Sequence, residues 1–319
     1  GIGGVSEANL ERVEHSSYPL DFSEVRADPA VIRAILIAAA GGHNLLLTGE
    51  PGSGKTMLAR RIPSILTDLN PKESATLTAT HSALGLVPTG RSYLKTRPFR
   101  APHHTISEAG LIWRGNPLTP GEASLATGGI LCLDEAPEFS SRSLSALASA
   151  ISGGETIGRD GASIPVCPQL VLTVNPCPCG HGGTTRCVCA DMETDRYRAR
   201  VGVPLGRLVD VSVNVPTLNF ANISHPSVSS ANLRQKVKAA QERQIARGGV
   251  LNGSLRITDL PVSAVALRAF SLMDNGFIQV DNGRVAHVAH VALTIADLDG
   301  VDVTDDHIKE AAQLAGRLL

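Results

Sequence analysis

The 319-residue sequence predicts an α/β fold built on a parallel β-sheet. Three observations predict it. A glycine-rich loop lies between an apolar run and a helix-forming stretch, a second apolar run ends in two adjacent carboxylates, and a third ends in an asparagine. Because ligands bind at the carboxyl ends of parallel strands, we expect these loop, carboxylate and amide groups to form one site.

The glycine-rich loop has the P-loop pattern, with two glycines at the required spacing followed by Lys and Thr. Its residues are the candidate nucleotide ligands: Gly49, Glu50, Pro51, Gly52, Ser53, Gly54, Lys55 and Thr56. Backbone N–H groups of such a loop, aided by the N-terminus of the following helix, bind phosphate oxygens. Lys55 is expected to reach the β- and γ-phosphates, and the Thr56 hydroxyl to ligate Mg²⁺. The loop therefore predicts binding of a nucleoside triphosphate.

The second apolar run, residues 129–133, ends in Asp134 and Glu135. Asp134 is expected to hold Mg²⁺ and Glu135 to act on the attacking water, which are the groups that triphosphate hydrolysis needs. The run at residues 170–174 ends in Asn175, an amide suited to orienting that water. Between the two runs, Asp160 and Gly161 have the two-residue turn signal of a β-hairpin.

Composition limits the classes of function and location. The formal net charge is −1, so any contact with nucleic acid must come from local basic patches. Aromatic residues make up only 3% of the chain, which argues against a broad base-stacking platform. No apolar run has bilayer length and no secretory signal is present, so we expect a cytoplasmic protein without a membrane partner.

Four of the six cysteines lie close together, as two C-x-C pairs. Cys177, Cys179, Cys187 and Cys189 can surround one structural Zn²⁺, with His181 as a replacement for one thiol. Free thiols, or disulfides under oxidising conditions, are the alternatives. In a reducing compartment, metal is favoured over disulfides.

The basic segment from Arg91 to Arg100 interleaves four cations with two aromatic side chains. Such a pattern suits contact with nucleic-acid phosphates and occasional base stacking. We expect this segment and Arg159, beside the hairpin turn, to contact DNA. A solvated basic loop or a subunit interface would give the same composition.

The motifs together resemble the ComM/YifB family of magnesium-chelatase-like AAA+ ATPases. The resemblance extends over about residues 20–319, so we expect the family's N-terminal Lon-protease-like domain to be absent. The stretches that carry it, besides the P-loop, are residues 39–47, 97–105, 120–126, 133–139, 175–180 and 294–298.

The resemblance implies an AAA+ αβα sandwich with a five-stranded parallel sheet, a hairpin inserted before Asn175 (the pre-sensor hairpin) and a small helical lid. It assigns residues 1–20 to a tail, 21–216 to the nucleotide-binding core, 217–230 to a linker and 231–319 to the lid. The implied function is an ATP-driven hexameric ring that migrates DNA branches during recombination. A magnesium-chelatase-type motor, or a slowly hydrolysing scaffold, is the alternative.

The resemblance implies that two arginines contribute to the rate of ATP hydrolysis. The family's arginine finger, which reaches a neighbouring subunit's nucleotide, falls on Leu208, and Arg207 lies one position early. One residue rotates a helical side chain by about 100°, so we expect slow hydrolysis if this segment is an α-helix. Arg196, Arg198 and Arg200 are the next candidates. Arg284 is the nearest candidate for a lid arginine that senses the γ-phosphate.

Overall fold

A five-stranded parallel sheet lies at the centre of the computed structural model, which describes residues 18–87, 93–114, 119–157, 163–217 and 228–315. The strands in chain order are β1 (Leu45–Thr48), β2 (Phe99–Arg100), β3 (Trp113–Arg114), β4 (Thr119–Pro120), β5 (Ile130–Leu133), β6 (Glu155–Ile157), β7 (Ser163–Pro165), β8 (Gln169–Val174) and β9 (Val211–Asn214). The main sheet has the order β2-β5-β8-β1-β9, which puts the P-loop strand β1 between β8 and β9.

The α-helices in chain order are α1 (Pro29–Gly41), α2 (Lys55–Ala59), α3 (Pro71–Ser82), α4 (Glu108–Leu111), α5 (Glu122–Leu125), α6 (Ser141–Gly153), α7 (Asp191–Leu205), α8 (Ser230–Gly248), α9 (Leu260–Asp274), α10 (Val285–Asp299) and α11 (Asp305–Ala315). The antiparallel pair β6–β7 precedes β8, at the place where the sequence predicts a hairpin. The turn of that hairpin, with Arg159, lies outside the described residues. The predicted α/β class and the parallel five-stranded sheet of an AAA+ αβα fold are confirmed.

Each face of the sheet carries its own apolar layer. Leu45 and Leu47 of β1 point into one layer and Leu46 into the other, as the two-residue period of a strand requires. The first layer contains α1 and residues of α8, α9, α10 and α11. The second layer contains α6 and α7. The sheet is therefore covered on both sides, which explains why its central strands are apolar without interruption.

The four C-terminal helices share one apolar cluster with α1 and the sheet. Val237 of α8, Val291 of α10 and Ile35 of α1 are all fully buried in it. Polar contacts reinforce this junction, because Gln241 and Gln244 of α8 donate hydrogen bonds to backbone carbonyls of α1. The division into a core at residues 21–216 and a lid at 231–319 remains a prediction.

Candidate active site

Lys55 begins α2, directly after Gly54, whose φ of 93° is one that glycine adopts without strain. Its Nζ donates to the carbonyl oxygens of Gly49 (2.7 Å) and Glu50 (2.8 Å). A third bond joins Nζ to Oδ1 of Asn175, at 3.1 Å. Burial lowers the pKa of the Lys55 ammonium, an effect opposed by nearby carboxylates. The predicted lysine and the predicted amide therefore meet at one point of the sheet edge.

The predicted magnesium ligands Thr56 and Asp134 are also in contact. The Thr56 hydroxyl donates to the Asp134 carboxylate, with 2.8 Å between Oγ1 and Oδ1. Hydroxyl and carboxylate oxygens are the hard ligands that Mg²⁺ prefers, so this pair fits the ion.

Thr173 of β8 joins Asp134 to Glu135, and sequence reasoning missed it. Its hydroxyl donates to Oδ1 of Asp134 at 2.6 Å and accepts the backbone N–H of Glu135 at 2.9 Å. Thr173 is buried, so these bonds are shielded from water. One hydroxyl thus fixes the positions of both neighbouring acidic residues.

Glu135 has an unusual backbone conformation. Its φ of 54° and ψ of 51° lie in the left-handed region, and among the described residues it is the one non-glycine with positive φ. L-residues pay roughly 1–2 kcal/mol for this conformation. The 3₁₀ turn Ala136–Glu138 follows immediately, and the Glu135 side chain is exposed. The strand end thereby directs this carboxylate into solvent beside Asp134.

Tyr197 of α7 lies against Asn175 and is a second site residue that sequence reasoning missed. Its phenol lies near the Asn175 amide and only 6% of the residue is exposed. Burial, with a smaller contribution from Glu138 and Glu135, raises the pKa of Tyr197 to about 12. The phenol therefore stays neutral and helps to hold the Asn175 amide in place.

The four predicted cysteine ligands form one cluster. Their sulfurs all lie within 4.8 Å of one another. Cys177 Sγ is 3.3 Å from Cys179 Sγ and 3.7 Å from Cys187 Sγ, and Cys179 and Cys187 are 3.9 Å apart. Four thiolates around zinc at about 2.3 Å have sulfurs about 3.8 Å apart, so these residues fit a tetrahedral ion.

The thiols of the cluster differ in acidity, because burial and the neighbouring sulfurs raise the pKa of Cys187 and of Cys189, whereas the pKa of Cys179 is lowered. Hydrogen bonds from the backbone N–H groups of Val188 and His181 lower the pKa of Cys179 to about 6. Thiolates rather than thiols ligate metals, so this residue is prepared for the role at neutral pH. The His181 ring is directed elsewhere, because its Nδ1 lies 3.2 Å from Oε1 of Glu50.

A narrow cleft lies beside the P-loop. Its walls come from the segment before α1, from the P-loop and α2, and from the segment after β9. The lining residues are Val25, Arg26, Ala27, Asp28, Ser53, Gly54, Met57, Leu58, Val215 and Pro216. No motif in the sequence identifies this cleft, because its walls are far apart in the chain.

Comparison with known proteins identifies the family. The family model described as magnesium chelatase, subunit ChlI, matches residues 21–223, more than half of the chain. The chain belongs to this ChlI family. It is 37% identical over 308 residues to the uncharacterized protein YifB of Escherichia coli, which covers 91% of this chain and 59% of YifB.

A second relative supports the same branch of the family. The chain is 36% identical over 313 residues to competence protein ComM of Haemophilus influenzae, covering 92% of this chain and 59% of ComM. The resemblance to the ComM/YifB family is thereby confirmed. The chain spans about 59% of the length of these curated relatives. Membership of the ChlI family supports an AAA+-type ATPase that uses ATP and Mg²⁺.

The predicted arginine finger of this ChlI-family chain lies in a 3₁₀ turn, Gly206–Leu208, rather than in an α-helix. Arg207 is exposed, whereas Leu208 packs against the apolar layer of α6 and α7. The expectation of a rotation by about 100° assumed an α-helix, whereas successive residues of a 3₁₀ turn differ by about 120°. The outward-facing residue of this turn is therefore the arginine.

Arg284 lies beside this turn and not beside its own P-loop. Its Nη1 donates to the carbonyl oxygen of Gly206 at 3.1 Å and its Nε to that of Ala315 at 2.8 Å. Gly206 precedes β9, so the guanidinium is at the amino edge of the sheet, opposite Lys55.

A buried polar cluster lies at the same amino edge. Asp210 accepts hydrogen bonds from the Asn44 backbone (2.8 Å) and from Nδ1 of His287 (2.7 Å). Although burial favours its neutral form, the His287 bond helps to hold the pKa of Asp210 below its usual value. His43 is fully buried and hydrogen-bonds to Thr294, and burial lowers its pKa to about 4.

Two arginines of the predicted DNA segment are engaged within the chain. Arg97 forms an ion pair with Glu73 (3.1 Å) and donates to the Thr67 carbonyl (2.7 Å). Arg100 forms a two-pronged ion pair with Glu122, with both distances 2.7 Å. Arg91 lies outside the described residues. These contacts give Arg97 and Arg100 a structural role that the sequence pattern did not reveal.

Among the described residues, no helix is long and apolar enough to cross a membrane.

Proposed function

We propose that this chain is the magnesium-dependent ATPase module of a DNA-remodelling motor. One observation carries the ATPase part of the proposal: a continuous set of hydrogen bonds joins Thr56, Asp134, Thr173 and Glu135. This network stands beside Lys55 and Asn175, which are bonded to each other. Phosphoryl transfer depends mainly on positioning and on electrostatic stabilisation, and a network prepared in this way provides both.

Each residue of the site has a separate proposed role in hydrolysis. Lys55 and the amides of the P-loop bind the phosphates, exchanging the contacts of Lys55 with Gly49 and Glu50 for phosphate oxygens. Thr56 and Asp134 hold Mg²⁺, which neutralises charge on the phosphates when bound. Glu135 accepts the proton of the attacking water, and Asn175 orients that water. Thr173 and Tyr197 are positioning residues that fix Glu135 and Asn175.

The cleft beside the P-loop is the proposed site of the adenine base. Val25, Ala27, Met57 and Val215 line it together with Gly54 of the P-loop, and the cleft must widen to admit a base. Nucleotide sites combine apolar walls with a few polar groups. A base held there would lead its phosphates directly into the P-loop.

The proposed working state is a homo-oligomeric ring, the hexamer implied by the family resemblance, in which Arg207 supplies charge to the neighbouring subunit's nucleotide. Its support is the exposure of Arg207 on a turn whose other bulky side chain, Leu208, is packed inward. Arginine supplied in trans is worth about 10³–10⁵ in turnover in related chemistry. Turnover should therefore rise steeply with protein concentration.

DNA is the proposed substrate of the motor, with support from the relative named as a competence protein. The test is ATP hydrolysis by the purified chain with branched DNA, linear duplex or no DNA, with Glu135→Gln as the blank. We expect branched DNA to stimulate hydrolysis most. If the rate of ATP hydrolysis is the same with branched DNA, with linear duplex and without DNA, the ATPase proposal stands and the DNA motor is excluded.

A magnesium-chelatase-type motor is the second candidate, favoured by the family description that matches residues 21–223. Such a motor remodels a protein partner, so its ATPase would respond to that partner and not to DNA. The same assay separates the two candidates, because only the first predicts stimulation by branched DNA.

Structural zinc in the cysteine cluster completes the proposal. Zn²⁺ supplies a fixed tetrahedral centre when bound, and the four sulfurs already have suitable spacing. A cluster of reduced thiols fits the cytoplasm. Metal analysis of freshly purified, reduced protein should find about one zinc per chain, and its absence would remove this part of the proposal.

A further inference from the structure

The cysteine loop, defined as residues 176–189, lies directly on the P-loop. The contact centres on the Glu50 carboxylate, which lies 3.2 Å from His181 Nδ1 and 3.0 Å from Arg186 Nη2. Thr217, after β9, donates to the same carboxylate at 3.1 Å. Glu50 therefore extends towards the cysteine loop, although its backbone belongs to the phosphate-binding loop.

Close packing accompanies these polar contacts. Gly180 has a φ of +84°, and a Cβ added there would lie 2.5 Å from Cγ of Pro51. A side chain at position 180 would thus push the two loops apart. At the start of the cysteine loop, Asn175 is bonded to Lys55, and Arg198 donates to the Pro176 carbonyl at 3.2 Å. The cysteine loop therefore contacts the nucleotide site at its start, through Asn175, and again in its middle, through Gly180, His181 and Arg186.

The contacts of Glu50 with His181, Arg186 and Thr217 matter because this carboxylate lies in a loop that binds phosphate. A carboxylate in a phosphate-binding loop repels phosphate, and the repulsion weakens when cations neutralise it. Hydrogen bonds from His181 and Thr217, with the nearby Arg186 charge, lower the pKa of Glu50, so it is ionised at neutral pH. Pairing with Arg186 and His181 both turns the carboxylate away and offsets its charge.

We propose that the metal in the cysteine cluster and the nucleotide in the P-loop are thermodynamically linked, with Glu50 as the positioning residue that links them. This inference rests on the zinc and ATP sites of the proposed function. The thiolate cage orders the loop that carries His181 and Arg186 between Cys179 and Cys187. Those two side chains hold Glu50, whose backbone carbonyl in turn bonds to Lys55. Loss of the metal frees the loop, and the P-loop must then be ordered by the nucleotide alone.

Thermodynamic linkage is reciprocal, so the same coupling factor must appear in two independent affinity measurements. Zinc should strengthen nucleotide binding, and nucleotide should strengthen zinc binding by the same factor. Couplings between sites are about 5- to 150-fold in affinity, and we expect at least the lower value here.

Two titrations on the full chain measure the coupling. The first measures the Kd of a fluorescent ADP analogue with zinc-loaded protein and with protein stripped by a chelator. The second measures zinc affinity by competition with a chromophoric chelator, with and without saturating ADP. We expect both to give the same factor, at fivefold or more. Far-UV circular dichroism of the stripped protein should show that the sheet and helices persist.

Three variants assign the coupling to its residues. In Glu50→Gln and in Arg186→Gln we expect one zinc per chain, and the coupling factor, measured against each variant's own ADP affinity, should fall to within twofold of one. Arg196→Gln is the matched control, because Arg196 is an exposed arginine of α7 outside the contact. It should keep the full coupling.

The outcomes separate this inference from the proposed function. A wild-type chain that binds both ligands with a coupling factor near one overturns the linkage and leaves the ATPase and zinc proposals in place. A chain without zinc overturns the zinc proposal and the linkage together. Full coupling in both Glu50→Gln and Arg186→Gln overturns the assignment to this contact. Global unfolding on zinc removal would also overturn it, because the metal would then stabilise the whole fold.

Discussion

The two edges of the central sheet differ in whether their polar side chains find partners within the same chain. At the carboxyl edge, Lys55, Asp134 and Asn175 are joined to other groups of the same chain by hydrogen bonds of 2.6–3.1 Å. At the amino edge, a hydrogen bond of 2.7 Å between His287 and Asp210 joins α10 to the sheet. Arg207 is three positions before Asp210 in the chain, yet its side chain faces solvent.

The difference teaches which parts of the chemistry one chain can provide. The carboxyl edge holds the groups that we propose to bind phosphate and activate water. The amino edge contributes stability through buried pairs and presents a cation outward. We infer that binding is a property of the single chain, whereas fast hydrolysis requires a second copy.

The largest expected effect separates binding from chemistry at the carboxyl edge. Lys55→Ala should abolish nucleotide binding, because the ammonium that meets the phosphates is lost. Glu135→Gln should keep the nucleotide affinity and lower turnover by about 10²–10⁴-fold, the usual contribution of a general base. Affinity is measured with a fluorescent nucleotide and turnover by phosphate release. Glu138→Gln, three residues away, is the control and should behave as wild type; equal turnover in Glu135→Gln would show that another group activates the water.

Arg207→Ala tests whether fast hydrolysis depends on an arginine that one copy of the chain supplies to the nucleotide of its neighbour. In assembled protein, turnover should fall by about 10³-fold while the ATP affinity stays unchanged, because the lost charge acts on the neighbouring nucleotide. Phosphate release is measured at protein concentrations above and below assembly. Arg200→Ala on α7 is the matched exposed control. If Arg200→Ala lowers turnover and Arg207→Ala does not, the trans cation has been assigned to the wrong residue.

The buried histidine of the amino edge should make stability depend on pH. His43 has a pKa of about 4 in the fold and about 6.5 when unfolded, so its contribution is complete above pH 6.5 and is lost as the pH falls towards 4. The shift corresponds to about 3 kcal/mol of unfolding free energy. Denaturant unfolding at several pH values measures it. His43→Gln should flatten the curve in this window, whereas His103→Gln at an exposed site should not; parallel curves for His43→Gln and wild type would contradict the assignment.

Thr173 offers a smaller, graded test of the carboxyl edge. Thr173→Val removes the hydroxyl that joins Asp134 to the Glu135 backbone and should lower turnover about tenfold, since a hydrogen bond to a charged group contributes roughly 1.5–3 kcal/mol. Thr173→Ser restores the hydroxyl and should recover most of the rate. Steady-state kinetics should place the loss in kcat and not in KM. Equal rates in the Val and Ser variants would mean that packing, not the hydroxyl, matters.

The smallest effect concerns the basic segment near β2. Because Arg100 is paired with Glu122, Arg100→Gln should lower the unfolding free energy by about 1 kcal/mol or less. The salt dependence of DNA binding should stay unchanged, whereas each lost phosphate contact would flatten the log–log slope by about 0.9. Thermal melts and DNA titrations at several salt concentrations give the two values. A flatter slope for Arg100→Gln would restore the prediction that this residue contacts DNA.

Elements with a strong local pattern could be predicted from the sequence. The apolar runs before the P-loop, before Asp134 and before Asn175 are the strands β1, β5 and β8, and the hairpin predicted between the last two runs is the pair β6–β7. Helix α3 was missed, because its small polar residues form no apolar stripe, although Asn70 and Glu73 form a capping box. The two-residue strand β2 is too short to leave a periodic signal.

The contacts that complete the site could not be predicted, because they join distant parts of the chain. Arg186 and Glu50 are 136 positions apart, and Thr173 and Asp134 are 39 apart. Neither pair has a spacing rule, since the fold alone brings the partners together. The register argument for Arg207 stays a prediction, with one change: the segment is a 3₁₀ turn, in which one position rotates a side chain by about 120° instead of about 100°.

Removing the C-terminal helices by truncation or proteolysis would expose the apolar cluster that α1 shares with α8–α11. A fragment ending near residue 217 would leave the buried face of α1, with Ile35 and Ile37, without its partners on α8 and α10. Exposed apolar faces of this kind promote aggregation. The C-terminal helices are therefore a required part of any soluble fragment, and evolution could exchange them for other helices only by rebuilding α1 at the same time.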